Sequence, residues 1–197
     1  MELLAVDQVL DNGEEDALVA RCRAGDRVAW QLFFDRHFLF VVRSARRLGT
    51  PPDEAEDVAQ EVFSVAFQKI GQLQQGKATW WLYRICSNVA SAHHRRRRVR
   101  QVWAHLFGGA RSDDRTPEDE LESGQAQAQV ARILERMAAR KREVLVLFEI
   151  EGLSGEEISA RLGCPVDTVW TRLHHARKEF TRLGRQLQIL EEARGLP

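Results

Sequence analysis

The chain has 197 residues, a hydrophobic content of 44% and equal numbers of acidic and basic residues, 29 of each, so its net charge is zero. This length allows one large or two small domains with real hydrophobic cores. No apolar run approaches the roughly 18 residues of a membrane span, and the acidic N-terminus lacks a signal peptide's basic region. Helix formers dominate and no long alternating β-branched run occurs, so we predict an all-α fold.

Two helices are expected after a loosely ordered N-terminus of residues 1–15. A short helix is predicted over about residues 15–24. Asp26 can cap a second helix that runs to about Leu48. Gly49 and the proline pair that follows it prevent this helix from continuing.

The third helix, expected from Asp53 to about Ile70, has one apolar face and one acidic face. Acids in its first turn are explained in part by the helix dipole. The dipole does not require the acceptors further along, so a docking face for a basic partner is a competing interpretation. The acidic face consists of Asp53, Glu56, Asp57, Gln60 and Glu61.

A fourth helix is predicted from Trp80 to about Arg98, after a polar loop. Trp81 fits the core, whereas Trp80 points elsewhere and is a candidate for stacking on an unstacked base. Five arginines lie within residues 95–100, more than a helix C-terminus requires, and arginine supplies phosphate contacts. An outward polar stripe consists of Arg84, Asn88, Ser91, Arg95 and Arg98.

The helical pattern breaks over residues 102–125, where a short apolar start is followed by an acidic stretch with Gly, Pro and Ser. This composition indicates a linker between two domains. Helices are then expected from Ala126 and over about residues 140–151, with Gly152 as a stop. These two helices would support the helix pair that follows them.

Two helices joined by a tight turn are predicted between residues 153 and 183. Ser154 and Glu157 fit a capping box, Gly163 fits a helix end and Pro165 a helix start. One face of the second helix is apolar, formed by Val169, Leu173, Ala176, Phe180 and Leu183. The polar and cationic residues opposite are typical of a helix that enters the DNA major groove, although an ordinary helical hairpin is the alternative.

In this order, the segments resemble an extracytoplasmic-function sigma factor, a small two-domain bacterial transcription initiation subunit of the primary sigma superfamily. The resemblance rests on DEAEDVAQEVF, on WLYRICSNVA with its arginine run, and on REVLVLFEIEGLSGEEISARLGCPVDTVWTRLHHARK. It implies sigma region 2 over residues 16–101, a flexible linker over 102–125, region 4 with its helix-turn-helix over 126–184, and a C-terminal tail over 185–197.

The resemblance implies core RNA polymerase as a partner. The family's DxxQE motif docks on the β′ clamp helices and corresponds here to Asp57, Gln60 and Glu61. It therefore favours docking as the role of the acidic face, and contacts with the β subunit are implied as well. A cognate anti-sigma factor and a cytoplasmic site of action are also implied.

The family recognises and melts the −10 promoter element with the loop and helix after the acidic helix. A flipped base costs about a few kcal/mol, which a pocket and backbone contacts offset. The loop of residues 74–79 is shorter here than is usual in the family. The corresponding residues are Lys77, Thr79, Trp80, Arg84, Asn88, Ser91, Arg95 and Arg98.

The second helix of the pair corresponds to the family's reader of the −35 element. Trp170 and His175 stand where the family often has lysine or arginine, and loss of guanidinium removes the bidentate reader of guanine. We therefore predict an altered −35 preference. The base-edge readers would be Thr171, His174 and His175. Arg172, Arg177 and Lys178 would be divided between phosphate contacts and salt bridges. The predicted −35 set also includes Thr168 and Trp170, and Trp170 is expected to take part in the choice of sequence.

Two other classes of protein are alternative interpretations of the sequence. A free-standing DNA-binding regulator leaves the acidic face and the arginine-rich helix without a role. A metal-dependent hydrolase would need the histidine pairs at 93–94 and 174–175, but adjacent helical residues point about 100° apart. No HxxxH, HExxH or CxxC spacing is present, so no catalytic residue, metal or cofactor is predicted.

The three cysteines, Cys22, Cys86 and Cys164, are far apart and odd in number. Lone cysteines usually serve as small packing residues, and a redox role is the alternative.

Overall fold

The computed structural model describes residues 12–74, 77–106 and 122–194. Within these residues the chain forms eight α-helices and no strand, so the predicted all-α class is confirmed. A 3-10 turn follows α3 at Ile70–Gln72, and a π-helical turn follows α6 at Val146–Ile150. The helices are α1 (Asn12–Arg23), α2 (Arg27–Arg47), α3 (Ala55–Lys69), α4 (Ala78–Leu106), α5 (Glu122–Arg136), α6 (Ala139–Leu145), α7 (Gly155–Leu162) and α8 (Val166–Arg194).

Helices α1–α4 form the N-terminal bundle. The Asp26 carboxylate caps α2 as predicted, accepting hydrogen bonds from two backbone N–H groups at 2.9 and 3.1 Å. Aromatic rings of α2 and α3 fill the centre, with the Phe34 and Phe63 centroids 4.7 Å apart. Buried Glu15 attaches α1, because it bonds Arg36 at 2.8 Å and His37 at 2.7 Å on α2.

Helices α5–α8, with the π-helical turn, form the C-terminal bundle. Both hydrogen bonds of the predicted Ser154–Glu157 capping box are present, and Gly163 ends α7 in the left-handed region at φ 63°. The predicted apolar stripe of α8 is buried at Val169, Leu173 and Ala176. The sequence predicts the cap, the helix end and the apolar stripe because each depends on residues only a few positions apart.

Four helices extend beyond the residues that the sequence patterns predicted. Helix α1 begins at Asn12, inside the N-terminus of residues 1–15 that was expected to be loosely ordered. Helix α4 continues past Arg98 to Leu106, since arginine favours helix and no glycine or proline interrupts this stretch. Helix α8 runs to Arg194 through most of the predicted tail, anchored by buried Leu187. Helix α5 begins at Glu122, inside the predicted linker; the middle of that linker lies outside the described residues.

The two bundles pack directly on each other, and the hydrophobic core is continuous across them. Helix α4 lies against α6. The turn after α2 lies so close to α5 that a Cβ atom at Gly49 would be 2.7 Å from the Glu135 nitrogen. Because α4 is covered from two sides, Leu82, Cys86 and Ala90 have no exposed surface. Trp81, predicted to be core, is only half-buried.

Candidate functional site

The acidic side chains of α3 lie on its solvent face, opposite the buried apolar face. Asp53, Glu56, Asp57 and Gln60 are exposed. Glu61 is half-buried, and both its carboxylate oxygens accept hydrogen bonds from Arg96 on α4 at 2.9 Å. A basic partner on this face would therefore compete with Arg96 for Glu61, while Glu56, Asp57 and Gln60 are exposed to it.

The predicted −10 residues divide into an exposed group and a covered group. The exposed residues are Lys77, Arg84, Asn88, Arg95 and Arg98. Thr79 is buried at 1% exposure. Trp80 is half-buried and stacks on Tyr83, with ring centroids 5.2 Å apart. The Arg161 guanidinium of α7 lies 5.5 Å from the centroid of the Trp80 ring. Trp80, which was predicted to stack on a base, is thus in contact with Tyr83 and Arg161.

Arginines 95–98 of α4 serve different contacts. Arg96 pairs with Glu61 of the acidic face. Arg97 lies 3.8 Å from Glu54 and 3.6 Å from Glu135, so it joins α4 to α5 of the other bundle. Arg95 and Arg98 point to solvent. Arg97 is therefore the one partly covered side chain among these four, and Arg96 forms its ion pair at an exposed position.

Helix α8 carries its polar face opposite the buried stripe. Thr171, His174, His175 and Lys178 are exposed, and the two imidazole rings are 5.6 Å apart. Hydroxyl, imidazole and ammonium groups along one exposed face of a helix can donate to base edges and phosphates in a major groove.

Other predicted −35 residues are engaged within the C-terminal bundle. Thr168 and Arg172 are half-buried, and Arg172 Nη1 lies 3.6 Å from the Cys164 sulfur. Arg177 bonds Glu149 at 2.8 Å through Nε. Trp170 is 43% exposed, and its edge packs against Phe148, with centroids 5.6 Å apart. These contacts hold α8 against the rest of the C-terminal bundle.

Arg142 is a buried guanidinium that sequence patterns did not reveal. It is 2% exposed and crosses from α6 to α4, where it bonds His94 Nδ1 at 2.6 Å and Ser91 Oγ at 2.8 Å. Burial lowers the pKa of Arg142 to about 10. Burial, together with the nearby Arg142 charge, lowers the pKa of His94 to about 3, so the imidazole is neutral and accepts the hydrogen bond. Ser91, a predicted −10 residue, is thus bonded to the other bundle.

A second ion pair also crosses between the bundles. Arg47, the last residue of α2, bonds Glu151 at 2.7 Å, and the Glu151 side chain is only 3% exposed. In the sequence both look like ordinary surface charges, and no local pattern pairs residues that are 104 positions apart. Only the docking of the bundles brings them together.

No group of three or more His, Cys, Asp or Glu in the described part of the chain could hold a metal ion. Cys22 and Cys86 are buried, and burial raises the pKa of the Cys86 thiol to about 12. Within the same residues, no helix has the length and apolar character needed to cross a membrane.

Comparison with protein families gives two matches. The family model for Sigma-70 region 2 matches residues 33–100, and the model for Sigma-70, region 4 matches residues 127–180. The first match covers most of α2, all of α3 and most of α4, and the second runs from within α5 to the middle of α8. The candidate surfaces on α3, α4 and α8 all lie within matched segments.

Named relatives match most of the chain. RNA polymerase sigma-H factor of Pseudomonas aeruginosa is 33% identical over 88% of this chain and 95% of its own length. The ECF RNA polymerase sigma-E factor of Escherichia coli is 33% identical over 83% of this chain and 91% of its own. A solved structure of CnrH in complex with the cytosolic domain of CnrY is also similar. It has a TM-score of 0.53 and 26% identity, and the match covers 85% of this chain and 94% of that one.

Proposed function

The chain belongs to the extracytoplasmic-function (ECF) sigma factors of RNA polymerase, and we propose that three of its surfaces divide the work of promoter recognition. The protein is a transcription initiation factor rather than a classical enzyme. It binds core RNA polymerase, directs it to specific promoters through their −10 and −35 elements, and promotes promoter melting. The proposal concerns the residues that carry out each step.

Polymerase docking is assigned to the acidic face of α3. Asp57 and Gln60 offer acceptors to solvent, and Glu61 would exchange Arg96 for a basic residue of the polymerase. The proposed counterpart is the β′ clamp helices, with further contacts to the β subunit. Acidic acceptors on a rigid helix suit a basic helical partner, because close charge pairs add specificity and speed association.

Promoter reading is assigned to α4 and α8. On α4, Arg84, Asn88, Arg95 and Arg98 would follow the backbone of the melted −10 strand, and Trp80 would stack on a base. On α8, Thr171, His174 and His175 would read the −35 base edges while Lys178 contacts phosphate. The observation that carries this assignment is the exposed polar face of α8, opposite its buried stripe.

An anti-sigma factor is the proposed inhibitory partner, and the cytoplasm is the proposed site of action. The solved CnrH structure contains the cytosolic domain of CnrY, which supports a protein partner for this chain by similarity. Such an inhibitor would cover the polymerase-docking and DNA-reading faces.

In vitro transcription with core RNA polymerase on a randomised promoter library tests the assignment. We expect transcripts that depend on this protein and a selected −35 sequence that differs from the family's common one. Recovery of only the common consensus would contradict the proposed role of Trp170 and His175. A failure to transcribe any promoter would contradict the function itself.

The docking face is tested with a matched pair of charge reversals, Asp57→Arg on α3 and Glu14→Arg on exposed α1. Both change the net charge equally. We expect Asp57→Arg to weaken core polymerase binding by about 2 kcal/mol, roughly thirty-fold, and Glu14→Arg to leave it unchanged. Equal losses in the two variants would point to net charge instead of a docking face.

A further inference from the structure

The exposed face of α8 that carries the base-reading residues continues for two further helical turns. Thr171 and His174 precede Lys178 at spacings of seven and four, so the three side chains share one face. Arg182 and Arg185 follow Lys178 at spacings of four and seven and lie on the same face. Both arginines are exposed, and both lie beyond residue 180, where the region 4 match ends. The proposed function gives neither of them a role.

This part of α8 is strongly cationic in a chain that has no net charge. Residues 171–187 contain five arginine or lysine residues, and their one acid is Glu179. The Glu179 carboxylate is turned toward the bundle, where it bonds Lys141 Nζ at 2.7 Å and the Ala138 N–H at 3.1 Å. Within residues 171–187, no exposed carboxylate therefore offsets the charge of Arg182 and Arg185.

The C-terminal half of α8 is held against the bundle, so its arginines project from a fixed support. Leu183 and Leu187 are buried on the side opposite the cationic face. The backbone at Gly184 lies beside α5, where an added Cβ atom would be 3.5 Å from Ile133 Cδ1. On the solvent side, the two arginines border a shallow depression of about 510 Å³. A rigid helix positions charged groups more precisely than a mobile tail does.

A helix of this length cannot read base edges along its whole exposed face. From Thr171 to Arg185 the face is about 21 Å long at 1.5 Å per residue, whereas the major groove is about 12 Å wide and winds around the DNA axis. A straight helix whose first turns lie among base edges therefore reaches the sugar–phosphate backbone with its later turns. The C-terminal end of the homeodomain recognition helix contacts the backbone in this way. Guanidinium suits that position, because its planar donors bind phosphate in a bidentate manner.

We propose that Arg182 and Arg185 bind phosphates of promoter DNA beside the −35 element, so that the extension of α8 supplies affinity that does not depend on sequence. This inference rests on the proposed function of α8 as the −35 reader. Trp170 and His175 stand where the family often has lysine or arginine, so positive charge that the base-reading turns lack is present two turns later. Phosphate contacts strengthen binding to all sequences alike, whereas base contacts discriminate between them.

The salt dependence of promoter binding tests the proposal, using holoenzyme assembled from core polymerase and the full-length chain. The test variant is Arg182→Gln with Arg185→Gln, called the Gln pair. The control is Arg43→Gln with Arg46→Gln, which removes two exposed arginines of the same spacing from α2, outside every assigned surface. A third variant, Arg182→Lys with Arg185→Lys, keeps the charge. Circular dichroism verifies that each variant keeps its helical content.

We expect the slope of log affinity against log salt to decrease by about 1.8 in the Gln pair, because each phosphate contact contributes about 0.9. At low salt its affinity should fall by the same factor for promoters with different −35 sequences. The lysine variant and the control should keep the wild-type slope. An unchanged slope in the Gln pair, or an equal decrease in the control, would overturn the proposal. A loss confined to one −35 sequence would also overturn it, since the arginines would then be base readers.

DNA with neutral methylphosphonate linkages beside the −35 element locates the contacts. These linkages should weaken binding of the wild type and have no further effect on the Gln pair, whereas equal weakening of both would overturn the proposal. Wild-type holoenzyme that binds all −35 sequences equally would count against the reader role of α8 and with it this inference. A wild type that selects a −35 sequence while the Gln pair keeps its salt slope would overturn the phosphate contacts alone.

Discussion

Trp170 and Gly155 form a contact on which the geometry of the helix-turn-helix depends. The indole of α8 lies over the first residue of α7, where a Cβ atom would be 2.5 Å from the Trp170 ring. The indole also packs against Phe148, with ring centroids 5.6 Å apart and the ring planes at 72°. Trp170 is thus clamped between two elements, and only the smallest residue fits beneath it.

We predict that Gly155→Ala destabilises the protein by about 1–3 kcal/mol, although alanine normally favours a helix over glycine by about 1 kcal/mol. The reason is the steric conflict with Trp170. Gly71→Ala, where nothing lies within 4 Å of the added carbon, is the matched control. Urea unfolding measures both, and equal stabilities would rule out the clamp.

The arginines of α4 show how one residue type is divided by its surroundings. Arg97 is half-buried beside two carboxylates, Arg96 pairs with Glu61 at the surface, and Arg95 and Arg98 are exposed. A run of arginines in the sequence predicts a cationic surface, but it does not predict which of the side chains form ion pairs. The division follows from the 100° turn between successive residues, which points each guanidinium at a different neighbour.

Helix α7 begins with a capping box that fixes the entry to the helix-turn-helix. The Glu157 N–H donates to Ser154 Oγ at 3.2 Å, and the Ser154 N–H donates to the Glu157 carboxylate at 2.8 Å. Hydrogen bonding to the Ser154 backbone lowers the pKa of Glu157, so the carboxylate is ionised throughout the neutral range.

Ser154→Ala is predicted to cost about 1 kcal/mol of unfolding free energy, because it leaves the Glu157 N–H without its cap. Ser154→Asn keeps an acceptor at the N-cap and should lie within a few tenths of the wild type. The two variants are compared by urea unfolding. A loss of the same size in both would mean that the cap contributes little.

Along α8, base-reading and phosphate-contacting residues should respond differently to salt and sequence. We expect His174→Ala to cost about 1–3 kcal/mol of promoter affinity and to relax selection at one −35 position. Lys178→Ala should weaken binding to all sequences alike and reduce the salt slope by about one. Holoenzyme binding to variant −35 sequences across a salt series distinguishes the two, and identical responses would contradict the assigned roles.

At the scale of the whole molecule, docking of the bundles buries a histidine that can take up a proton once it is exposed. In the packed chain the pKa of His94 is lowered to about 3, chiefly by burial and then by Arg142. In separated bundles it would return toward the ordinary value of about 6.5. The charged or titratable groups around it are Arg142 on α6, Glu135 on α5, and His93, Arg97 and Arg98 on α4.

Packing should therefore weaken as the pH falls below about 6.5, by up to about 1.4 kcal/mol per pH unit, because only the open form gains the proton. Glu135 and Glu143 act in the opposite direction, since burial raises the pKa of each carboxyl and protonation favours the packed form. Their effect begins at the raised pKa of the packed form and is complete at the ordinary value of about 4.3. Both carboxyls are retained in a His94→Gln variant, so the difference between that variant and the wild type isolates the contribution of His94.

Small-angle X-ray scattering from pH 7.5 to 5.5 tests whether the packing of the two bundles weakens as the pH falls. The wild-type radius of gyration is predicted to rise as the pH falls, while His94→Gln, which keeps an acceptor for Arg142 but does not titrate, should show a flatter response. Equal pH dependence in the two proteins would assign the effect to other groups.

The amino-acid sequence by itself determined the all-α class, the Asp26 and Ser154 caps, the left-handed Gly163 and the buried stripe of α8. Each depends on hydrogen bonds or side-chain periodicity within a few residues, which the order of residues specifies directly. It also identified the acidic face of α3 and the polar face of α8 as surfaces, because charge on one side of an amphipathic helix is visible before folding.

Only the tertiary structure decided which side of α4 is covered and by what. His94 and Arg142 are 48 residues apart, and Arg47 and Glu151 are 104 apart. No propensity or periodicity operates over such separations, and each of these residues alone looks like a solvated charge. Their meeting depends on how two bundles with complementary surfaces dock, and that docking places Arg142 of α6 and Arg161 of α7 against α4.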